Sequence, residues 1–321
     1  MLAVSLAVAA AAFALEIVVG YPARLLRAAG HPVMAMGAVI DRLDAALNDE
    51  AASFEVRRRR GAVALVVLVA LFGAPALALS FALRLAGPAG WLAEAALASS
   101  LLASKSLHDH VAEVDRALED EGIEAGRRAV AKIVGRETAA LDAAAVRRAA
   151  IESLAENYSD GVIAPLVWLA LFGLPGIVVY KAVNTADSMI GHRTPRHEAF
   201  GWAAARTDDG LNLIPARLTA LLIALVSGRP GAAVSSALRD ARRHRSPNAG
   251  WPEAAMAGAV GVRLSGPRSY GGAVSDEPWV NAAGGDPDAA SLRRAVRITG
   301  RVTALALTLV LIAAAAGLSL S

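Results

Sequence analysis

The chain has 321 residues, of which 55% are apolar and 19% are charged, and its mean hydropathy is +0.46. Intrinsic disorder requires low hydrophobicity and high charge, so this composition excludes it. The lack of cysteine excludes a disulfide scaffold, thiolate catalysis and cysteine-ligated zinc or iron–sulfur centres. A net charge of +3, with no basic tract interleaved with aromatic residues, argues against nucleic-acid binding. The long apolar runs predict an integral membrane protein.

Six apolar segments are candidates for membrane helices, because a crossing helix needs about 20 mostly apolar residues. Ala62–Leu83 is the strongest, and the four arginines before it place its start in the cytoplasm. Trp91–Ala103 is short and contains Glu94, which indicates an interfacial or half-crossing helix. The pattern predicts an all-α polytopic membrane protein with four to six membrane segments. The remaining segments are Leu2–Val19, Val162–Tyr180, Leu211–Val226 and Val302–Leu320.

Two long polar stretches lie between the apolar segments, at about 104–160 and about 227–300. The first has apolar residues at helical spacing, which predicts two or three amphipathic helices. The second is rich in Gly, Pro, Ser and Asn and has little periodicity, and Trp251, Tyr270 and Trp279 favour an ordered, motif-rich loop. We therefore interpret residues 1–321 as a single membrane domain with two polar insertions.

The first block of chemically capable residues lies near the end of the first polar stretch. On a helix, Glu152 and Glu156 share a face at i,i+4, where like charges are mildly destabilising. Together with Asp160 they are candidate ligands for magnesium, which prefers carboxylate oxygens. The alternative is an ordinary ion pair between Arg148 and Glu152 on a solvated face, and spacing alone favours that alternative.

The second block is the densest, and its charged and amide groups flank and enter apolar segments. Polar groups at membrane depth are expensive, so they are functional candidates by default. The alternative is a polar network that joins helices, but the number of ionisable groups favours function. The block contains Lys181, Asn184, Thr185, Asp187, Ser188, Arg193, Arg206, Asp208, Asp209, Asn212 and Arg217.

Within this block, side chains three or four residues apart would share helix faces, as Asp208 and Asn212 do. Three carboxylates are candidates for metal or catalytic roles. Three guanidinium groups offer forked donors that suit phosphate or carboxylate. The carboxylates are Asp187, Asp208 and Asp209, and the guanidinium groups are Arg193, Arg206 and Arg217.

The third block runs from His244 to Glu253, and its proline and glycine residues predict a loop. Glu253 is expected in the first turn of a following helix. A ligand cradle and an ordinary capped turn explain the block equally well. Its candidate binding residues are Arg245, Ser246, Asn248 and Glu253.

Several familiar site motifs are absent from the sequence. There is no G-x-x-x-x-G-K-[ST] or G-x-G-x-x-G phosphate loop, no H-E-x-x-H zinc motif and no G-x-S-x-G nucleophile elbow. A nucleotide, if used, therefore binds outside the standard phosphate loops.

The segment Val162–Tyr180 decides the topology of the first two blocks. A straight crossing there would separate these blocks by the membrane. Gly173, Pro175 and Gly176 permit a re-entrant hairpin instead, provided that protein or a water-filled cavity covers its irregular backbone. We therefore expect Asp160 and Asp187 to face one compartment.

Taken in order, these blocks resemble the CobD/CbiB family of cobalamin biosynthesis proteins. The similarity runs from about His31 to Gly272, and several long motifs in fixed order make it specific. Two positions depart from the pattern of many members: Tyr21 stands in place of an aspartate and Glu137 in place of another. The motifs are Val134–Thr138, Glu152–Gly161, Lys181–Met189, Ala205–Asp209, Ser246–Gly250 and Gly266–Gly272.

The resemblance implies an adenosylcobinamide-phosphate synthase in a bacterial inner membrane. Such an enzyme uses ATP and magnesium to join a propionate carboxyl of adenosylcobyric acid to the amine of aminopropanol or its O-phosphate. It implies the lipid bilayer and other late cobalamin-assembly enzymes as partners. Phosphorylation of a carboxylate needs metal and cationic charge on the transferring phosphoryl group.

On this interpretation the second block contains the catalytic candidates, and all three blocks contribute binding residues. The catalytic candidates are Asp187, Asp208, Asp209 and Lys181. The substrate-binding candidates are Asn184, Thr185, Ser188, Arg193, Arg206, Asn212, Arg217, Arg245, Ser246, Asn248 and Glu253. The candidate magnesium ligands are Glu152, Glu156, Asp160 and Asp187.

Two other function classes remain open. A corrinoid transporter would also place charges near broken membrane helices, although the long motif-bearing polar stretches argue against it. A non-catalytic scaffold for corrinoid enzymes needs no acid cluster. Alanine at Asp187 or Asp208 should therefore leave a scaffold working and abolish an enzyme.

Overall fold

The computed structural model describes residues 2–22, 24, 26–27, 30–270, 273–275 and 277–319. The chain forms two compact units, each built from separate parts of the sequence. Both predicted polar insertions fall into the second unit, while the single domain over residues 1–321 stays a prediction. Unit 1 contains Met1–Ala103, Ala164–Asn212 and Leu307–Ser321, and unit 2 contains Ser104–Ile163 and Leu213–Ala306.

Helices dominate the described part of the chain. The helices are α1 (Leu2–Val19), α2 (Pro32–Leu47), α3 (Phe54–Leu85), α4 (Gly87–Ser99), α5 (Ser104–Arg116), α6 (Ile123–Val130), α7 (Ala143–Tyr158), α8 (Ala164–Ile190), α9 (Trp202–Val226), α10 (Pro230–Asp240), α11 (Gly250–Val260) and α12 (Ala289–Ser319). Short π-helical turns at Ala117–Glu121 and Ser159–Ile163 and a 3₁₀ turn at Ala241–Arg243 connect some of them.

Within the described residues, five helical segments are long and apolar enough to cross a membrane, which agrees with the predicted four to six. The helices α3, α9 and α12 begin earlier than hydropathy indicates, because polar turns precede their apolar parts. For example, Ser53 accepts a hydrogen bond from the Val56 amide, so the four arginines lie inside α3. Leu320, the predicted end of the last segment, lies outside the described residues. The segments are Leu2–Val19, Phe54–Leu85, Ala143–Ile190, Trp202–Val226 and Ala289–Ser319.

In unit 1, α8 packs against α1 and α3 around a core of aliphatic, aromatic and small side chains. Ile40, Leu68 and Phe200 are almost fully buried there. A β-carbon at Gly61 would lie 1.8 Å from the Phe200 carbonyl oxygen, so glycine is required for this approach of α3 to the backbone after α8.

The predicted turn is confirmed as a reversal of the backbone inside α8, while its re-entrant path in a membrane stays a prediction. Gly173 has φ 69° and ψ −156°, a conformation that is essentially restricted to glycine. A β-carbon at Gly176 would lie 2.3 Å from the carbonyl oxygen of Trp168, eight residues earlier. In a straight helix these residues would be about 12 Å apart along the axis. The segment 164–172 therefore folds back against the segment that follows Gly173.

The tip of the hairpin rests on a buried ion pair of unit 1. Glu94, on α4, is fully buried and accepts hydrogen bonds from Arg84 Nε and Nη2, both at 3.0 Å. Its Oε1 also accepts from Ser80 Oγ (2.8 Å) and from the Leu174 amide (3.1 Å). Because Leu174 starts a new helical segment, its amide lacks an intrahelical acceptor, and Glu94 supplies one. Glu94, the acid within the short predicted segment Trp91–Ala103, thus stabilises the turn of the hairpin.

In unit 2, the amphipathic pattern of the first polar stretch is confirmed. Leu107, Val111 and Val114 are buried on one face of α5, which packs against α7. Three helices, α5, α6 and α7, occupy this stretch, in agreement with the two or three predicted.

The second polar stretch, predicted to be an ordered loop, contains two helices and two short antiparallel strand pairs. α10 packs against α11, and α11 is buried on nearly all sides. A helix that is buried all round has no polar face, so it shows no amphipathic period in the sequence. β1 (Leu264–Ser265) pairs with β4 (Trp279–Val280), and β2 (Arg268–Tyr270) pairs with β3 (Ala273–Ser275). Gly271 and Gly272 of the predicted motif, and the Tyr270 side chain, lie outside the described residues.

Candidate functional site

The second block forms a hydrogen-bonded network between α8 and α9 of unit 1. Tyr180 Oη donates to Asn212 Oδ1 (2.9 Å), and Asn212 Nδ2 donates to Asp208 Oδ2 (2.9 Å). Asn184 Nδ2 donates to Asp208 Oδ1 (3.2 Å), and Lys181 Nζ donates to Asn184 Oδ1 (3.5 Å). Both carboxylate oxygens of Asp208 thus accept amide protons, which turns the carbonyl oxygen of Asn184 towards the Lys181 ammonium group. The predicted Asp208–Asn212 pair is confirmed. The network also joins α8 to α9, which is the helix-joining role named as the alternative to a functional site.

A cavity of about 220 Å³ in unit 1 contains other members of the same block. Arg206 Nη1 lies 3.5 Å from Asp209 Oδ2, and the Arg58 guanidinium carbon lies 3.7 Å from the centre of the Trp202 ring. The cavity combines two guanidinium groups, two carboxylates and an indole face. Such a set suits a ligand with phosphate groups and a planar ring. Its lining residues are Phe54, Gly191, Arg193, Glu198, Trp202, Ala205, Arg206 and Asp209.

Asp187 lies next to this cavity, at the end of α8. Its carbonyl oxygen accepts a hydrogen bond from the Gly191 amide at 2.7 Å. A β-carbon at Gly191 would lie 2.0 Å from Asp187 Oδ1, so the absence of a side chain there leaves room for the carboxylate. Gly191 also lines the cavity, which places the half-buried Asp187 at its edge.

Thr185 and Ser188, two predicted binding residues, use their hydroxyl groups to bond the backbone of α8. Thr185 Oγ1 donates to the Lys181 carbonyl oxygen (2.6 Å), and Ser188 Oγ donates to the Asn184 carbonyl oxygen (2.9 Å). Both hydroxyls satisfy the backbone one turn earlier in α8. This i−4 bond is a common arrangement for serine and threonine within helices.

The loop that carries Arg193 is held by an ion-pair network that the sequence did not indicate. Arg196 donates to Asp44 Oδ2 (2.7 Å) and to Glu50 Oε1 (2.7 Å). Arg57 donates to the Arg196 carbonyl oxygen and to Asn48 Oδ1 (2.9 Å). The only sequence signal for this network was the i,i+4 spacing of Asp44 and Asn48. Arg57 belongs to the basic run that was used to predict the membrane orientation of α3.

Burial alone would raise the pKa of Asp44. Hydrogen bonds from Arg196 and Asn48, with the charge of Arg196, outweigh that effect and lower the pKa below its usual value. Asp44 is therefore ionised and anchors the loop beside the cavity.

In unit 2, Glu152 has a different partner from the predicted one. Glu152 Oε2 accepts from Arg136 Nη2 (2.7 Å), and Oε1 accepts from the Ser265 amide (2.6 Å). The proposed pair of Arg148 with Glu152 is wrong, because Arg148 donates to Asp286 instead. The sequence could not show this, since Ser265 and Asp286 are more than 100 residues from their partners.

The predicted magnesium ligands do not form a ready cluster. Among the described residues, no group of three or more His, Asp or Glu side chains is arranged to hold a metal ion. Glu152 is buried with both oxygens engaged, whereas Glu156 is exposed on the same helix. Asp160 lies half-buried in the π-helical turn after α7. The magnesium assignment therefore stays a prediction, and it fits best a metal ion held largely by nucleotide phosphates with one or two carboxylates.

The third block assembles around the start of α11 in unit 2. Arg217 Nη1 donates to Asn248 Oδ1 (3.2 Å), and the Arg217 guanidinium carbon lies 4.8 Å from the centre of the Trp251 ring. Glu253 is in the first turn, as predicted, and its Oε2 lies 3.7 Å from His244 Nε2. Ser246 Oγ accepts from the amides of Asn248 and Ala249 (both 3.2 Å), so it caps the turn, whereas Arg245 is exposed. The block is at least a capped turn, and its role as a ligand cradle stays a prediction.

Comparison with known proteins agrees with the resemblance seen in the motifs. The model of a family described as CobD/Cbib protein matches residues 9–299. The cobalamin biosynthesis protein CobD of Rhodobacter capsulatus is 49% identical over 296 residues, which cover 91% of this chain and 92% of that protein. The proteins of the same name from Rhizobium meliloti and Brucella anthropi are 49% identical over 279 residues (85% of each chain) and 45% identical over 324 residues (98% of each chain). No solved structure matches the chain.

Proposed function

Because the chain belongs to the CobD/CbiB family, we propose that it acts in cobalamin biosynthesis as adenosylcobinamide-phosphate synthase. In this reaction a propionate carboxylate of adenosylcobyric acid takes the terminal phosphoryl group of ATP, and ADP leaves. The amine of aminopropanol or its O-phosphate then attacks the activated carbonyl carbon, phosphate leaves, and the nitrogen loses a proton to give the amide.

The observation that carries the proposal is the hydrogen-bonded network around Asp208, on the same helices as the arginine-lined cavity of unit 1. Arg193 and Arg206 would bind phosphate oxygens, and the Trp202 ring, with the Arg58 guanidinium group over one face, lines the same cavity. Magnesium, when bound with the nucleotide, would supply positive charge to the transferring phosphoryl group.

The other side chains of unit 1 would position and deprotonate the reactants. Asp208 fixes Asn184, and Asn184 in turn holds the ammonium group of Lys181, which offers a further cation for phosphate. Asp187 is the carboxylate at the cavity edge that could take the proton released by the amine. Asp208 is thus a positioning residue, since both of its oxygens are used by the two asparagines.

The test is mass spectrometry of product formed by the purified protein with adenosylcobyric acid, aminopropanol phosphate, ATP and magnesium, omitting each component in turn. Adenosylcobinamide phosphate is expected only in the complete mixture. Asp208→Asn should lower kcat by about 10²-fold, because an amide at this position would force Asn184 or Asn212 to turn and would misplace the Lys181 ammonium group. Thr207→Ala, an exposed change on the same helix, should leave the rate unchanged.

Three outcomes would count against the proposal. Product that forms without ATP would exclude the ligase mechanism. An Asp208→Asn variant with wild-type kcat would show that this network does not serve the reaction. Corrinoid uptake by vesicles, with no product, would instead favour a transporter.

A further inference from the structure

Unit 1 contains a cavity of about 520 Å³ beside the hairpin of α8, to which the proposed reaction assigns no role. Its walls come from α1, α3, both arms of the hairpin and α9. All four helices belong to the segments that are long and apolar enough to cross a membrane. We call this space the hairpin cavity, and its lining includes Ser5, Leu77, Arg84, Phe172, Tyr180 and Leu211.

The hairpin cavity has an exposed apolar rim and a buried floor. Leu77, Leu171 and Phe172 at its rim are 61%, 50% and 58% exposed. Ser5 and Tyr180, which also line it, are only 3% and 1% exposed. Large exposed apolar side chains on membrane-crossing helices face lipid. The cavity therefore opens towards the acyl chains of the bilayer.

One end of the cavity carries a guanidinium group with a donor left over. Arg84 donates through Nε to Glu94 Oε2 (3.0 Å), and through Nη2 to Glu94 Oε1 (3.0 Å) and Ser5 Oγ (3.1 Å). Its Nη1 atom makes no hydrogen bond to a described residue and is not buried. Glu94 also accepts from Ser80 and from the Leu174 amide, so its charge does not depend on Arg84 alone. The guanidinium group can therefore donate to an anionic oxygen in the cavity.

The polar and apolar parts of the cavity follow the order of a phospholipid. Arg84 lies in the last turn of α3, and long cationic side chains near the ends of membrane helices reach the headgroup region. Leu77 lies seven residues earlier in α3, about 10 Å away along the helix axis. The cavity thus offers a phosphate donor at headgroup level and an apolar wall below it.

The inner wall of the cavity leads to the network around Asp208. Tyr180 lines the cavity and donates through Oη to Asn212 Oδ1 (2.9 Å), a member of that network. Trp168, on the first arm of the hairpin, donates through Nε1 to the Leu211 carbonyl oxygen (3.3 Å). An acyl chain against Tyr180 would exclude water from its hydrogen bond, and it would join the hairpin to α1, α3 and α9.

We propose that the hairpin cavity binds one phospholipid of the surrounding membrane, with its acyl region between Leu77 and Leu211 and its phosphate at Arg84. The volume lies within the range of about 300–1,000 Å³ that is typical of ligand pockets. The lipid is a structural ligand, which stabilises the hairpin and, through Tyr180, the network that positions Lys181. The proposal rests on the cavity and on the membrane character of the chain, and it does not depend on the chemistry of the proposed reaction.

The chain offers matched variants for a test. Leu211→Trp places an indole in the cavity, whereas Leu221→Trp makes the same change at an exposed position of α9 that does not line it. Arg84→Lys keeps a cation beside Glu94 and removes the guanidinium Nη1 donor. It therefore tests the headgroup contact without leaving a buried carboxylate unpaired.

Lipid retention by the purified full-length protein measures the site directly. After exchange into detergent that contains no lipid, native mass spectrometry should show one phospholipid bound to each wild-type chain. Leu221→Trp should retain the lipid like wild type, and Leu211→Trp should retain about tenfold less, because the added ring overpacks the occupied cavity.

Lipid titrations during thermal unfolding supply the second measurement. Dioleoylphosphatidylglycerol should raise the unfolding temperature of wild type and Leu221→Trp, because a ligand that binds only the folded state stabilises it, and it should not raise that of Leu211→Trp. Dioleoylglycerol, which has the same chains and no phosphate, should be less effective with wild type, and this difference should shrink in Arg84→Lys. Inorganic phosphate alone should have no effect, since the acyl region supplies most of the contact.

A cysteine at the same position keeps the test valid if Leu211→Trp does not fold. The natural chain has no cysteine, so Leu211→Cys and Leu221→Cys each introduce a single thiol. In the delipidated protein, dioleoylphosphatidylglycerol should slow the reaction of Leu211→Cys with N-ethylmaleimide and leave that of Leu221→Cys unchanged.

Three results would overturn the proposal: wild type that retains no phospholipid, equal retention by Leu211→Trp and Leu221→Trp, or equal binding of dioleoylglycerol and dioleoylphosphatidylglycerol by wild type. The synthase assay separates this site from the proposed function. Product formation by protein that never binds phospholipid would refute the site and leave the function standing. Lipid binding as expected with no product would support the site and refute the function.

Discussion

Two consecutive acids on α9, Asp208 and Asp209, point in different directions and have different surroundings. Consecutive helical residues point about 100° apart. Asp208 is buried and bonded to two asparagines, whereas Asp209 lines the arginine cavity beside Arg206. Substitution of Asp208 should therefore disturb the position of Lys181, whereas substitution of Asp209 should mainly change the affinity for a ligand in the cavity.

The ionised Asp44 makes the loop beside this cavity sensitive to acid. Its pKa is lower in the folded protein than in the unfolded chain, so the unfolded chain takes up the proton first as the pH falls. The stabilisation is complete above the unfolded pKa of about 3.9, and it is lost as the pH falls from there through the folded pKa.

We therefore expect Asp44→Asn to lower the unfolding temperature at pH 7 and to flatten its decline as the pH falls below about 4. Tryptophan fluorescence during heating measures both effects, since the chain has five tryptophans. Asp41→Asn, at an exposed position of the same helix, is the control and should keep the wild-type slope. A variant of Asp44 with the wild-type pH profile would mean that the ion pair does not stabilise the loop.

At the scale of elements, the hairpin in α8 depends on one glycine and one buried acid. Gly173 adopts its backbone conformation directly over the Arg84–Glu94 pair, and Glu94 also accepts the amide of Leu174. A β-carbon at Gly173 would lie 2.3 Å from Arg84 Nη2 and 3.1 Å from Glu94 Oε1. The backbone requirement and the packing requirement therefore coincide at this residue.

Gly173→Ala should destabilise the protein by more than about 1–2 kcal/mol, the usual penalty for a side chain in left-handed backbone, because it also displaces Arg84 from Glu94. Gly210→Ala is the matched control, since that glycine lies within α9 and a β-carbon added there would meet no neighbouring atom within 4 Å. There the same substitution should stabilise the helix by up to about 1 kcal/mol. Thermal unfolding of the two variants measures the difference, and equal effects would contradict the importance of the turn.

The elements that the sequence predicted well are those with a strong local signal. Apolar length predicted α1, α3 and α12, and the glycine–proline pattern predicted the reversal at Gly173. The start of α11 was predicted through Glu253, but its length was not, because a helix buried on all sides lacks an amphipathic period. The helix spacing also predicted Asp208–Asn212, since that pair is local.

The contacts that sequence could not predict join distant parts of the chain. Arg196 meets Asp44 across 152 residues, and Glu152 meets the Ser265 amide across 113 residues. Local spacing offered Glu152 a nearer partner, Arg148, which the structure assigns to Asp286. Which partner a side chain contacts depends on the packing of the whole unit, and the spacing of two residues in the sequence carries no information about that packing.

At the scale of the whole molecule, the family and the five apolar helical segments indicate a multi-pass membrane protein with polar chemistry at several helix ends. The path of the chain through the bilayer then decides which polar blocks share a compartment. The apolar arm that follows Asp160, residues 162–172, contains eleven residues and is about 16 Å long, short of a hydrocarbon core about 30 Å thick. It can therefore enter the bilayer and turn back, but it cannot cross.

This path predicts that the chain enters and leaves the hairpin on one side of the membrane. Since the protein has no cysteine, Asp160→Cys and Ser188→Cys each introduce a single reactive thiol. In sealed vesicles of known orientation, both thiols should react with an impermeant maleimide from the same side, and Phe172→Cys, at the exposed tip of the hairpin, should react slowly from either side. A cysteine in the arginine run that is predicted to be cytoplasmic, such as Arg59→Cys, provides a reference for the side of the membrane. Labelling of positions 160 and 188 from opposite sides would show a crossing helix, and the first two polar blocks could not then serve one active site.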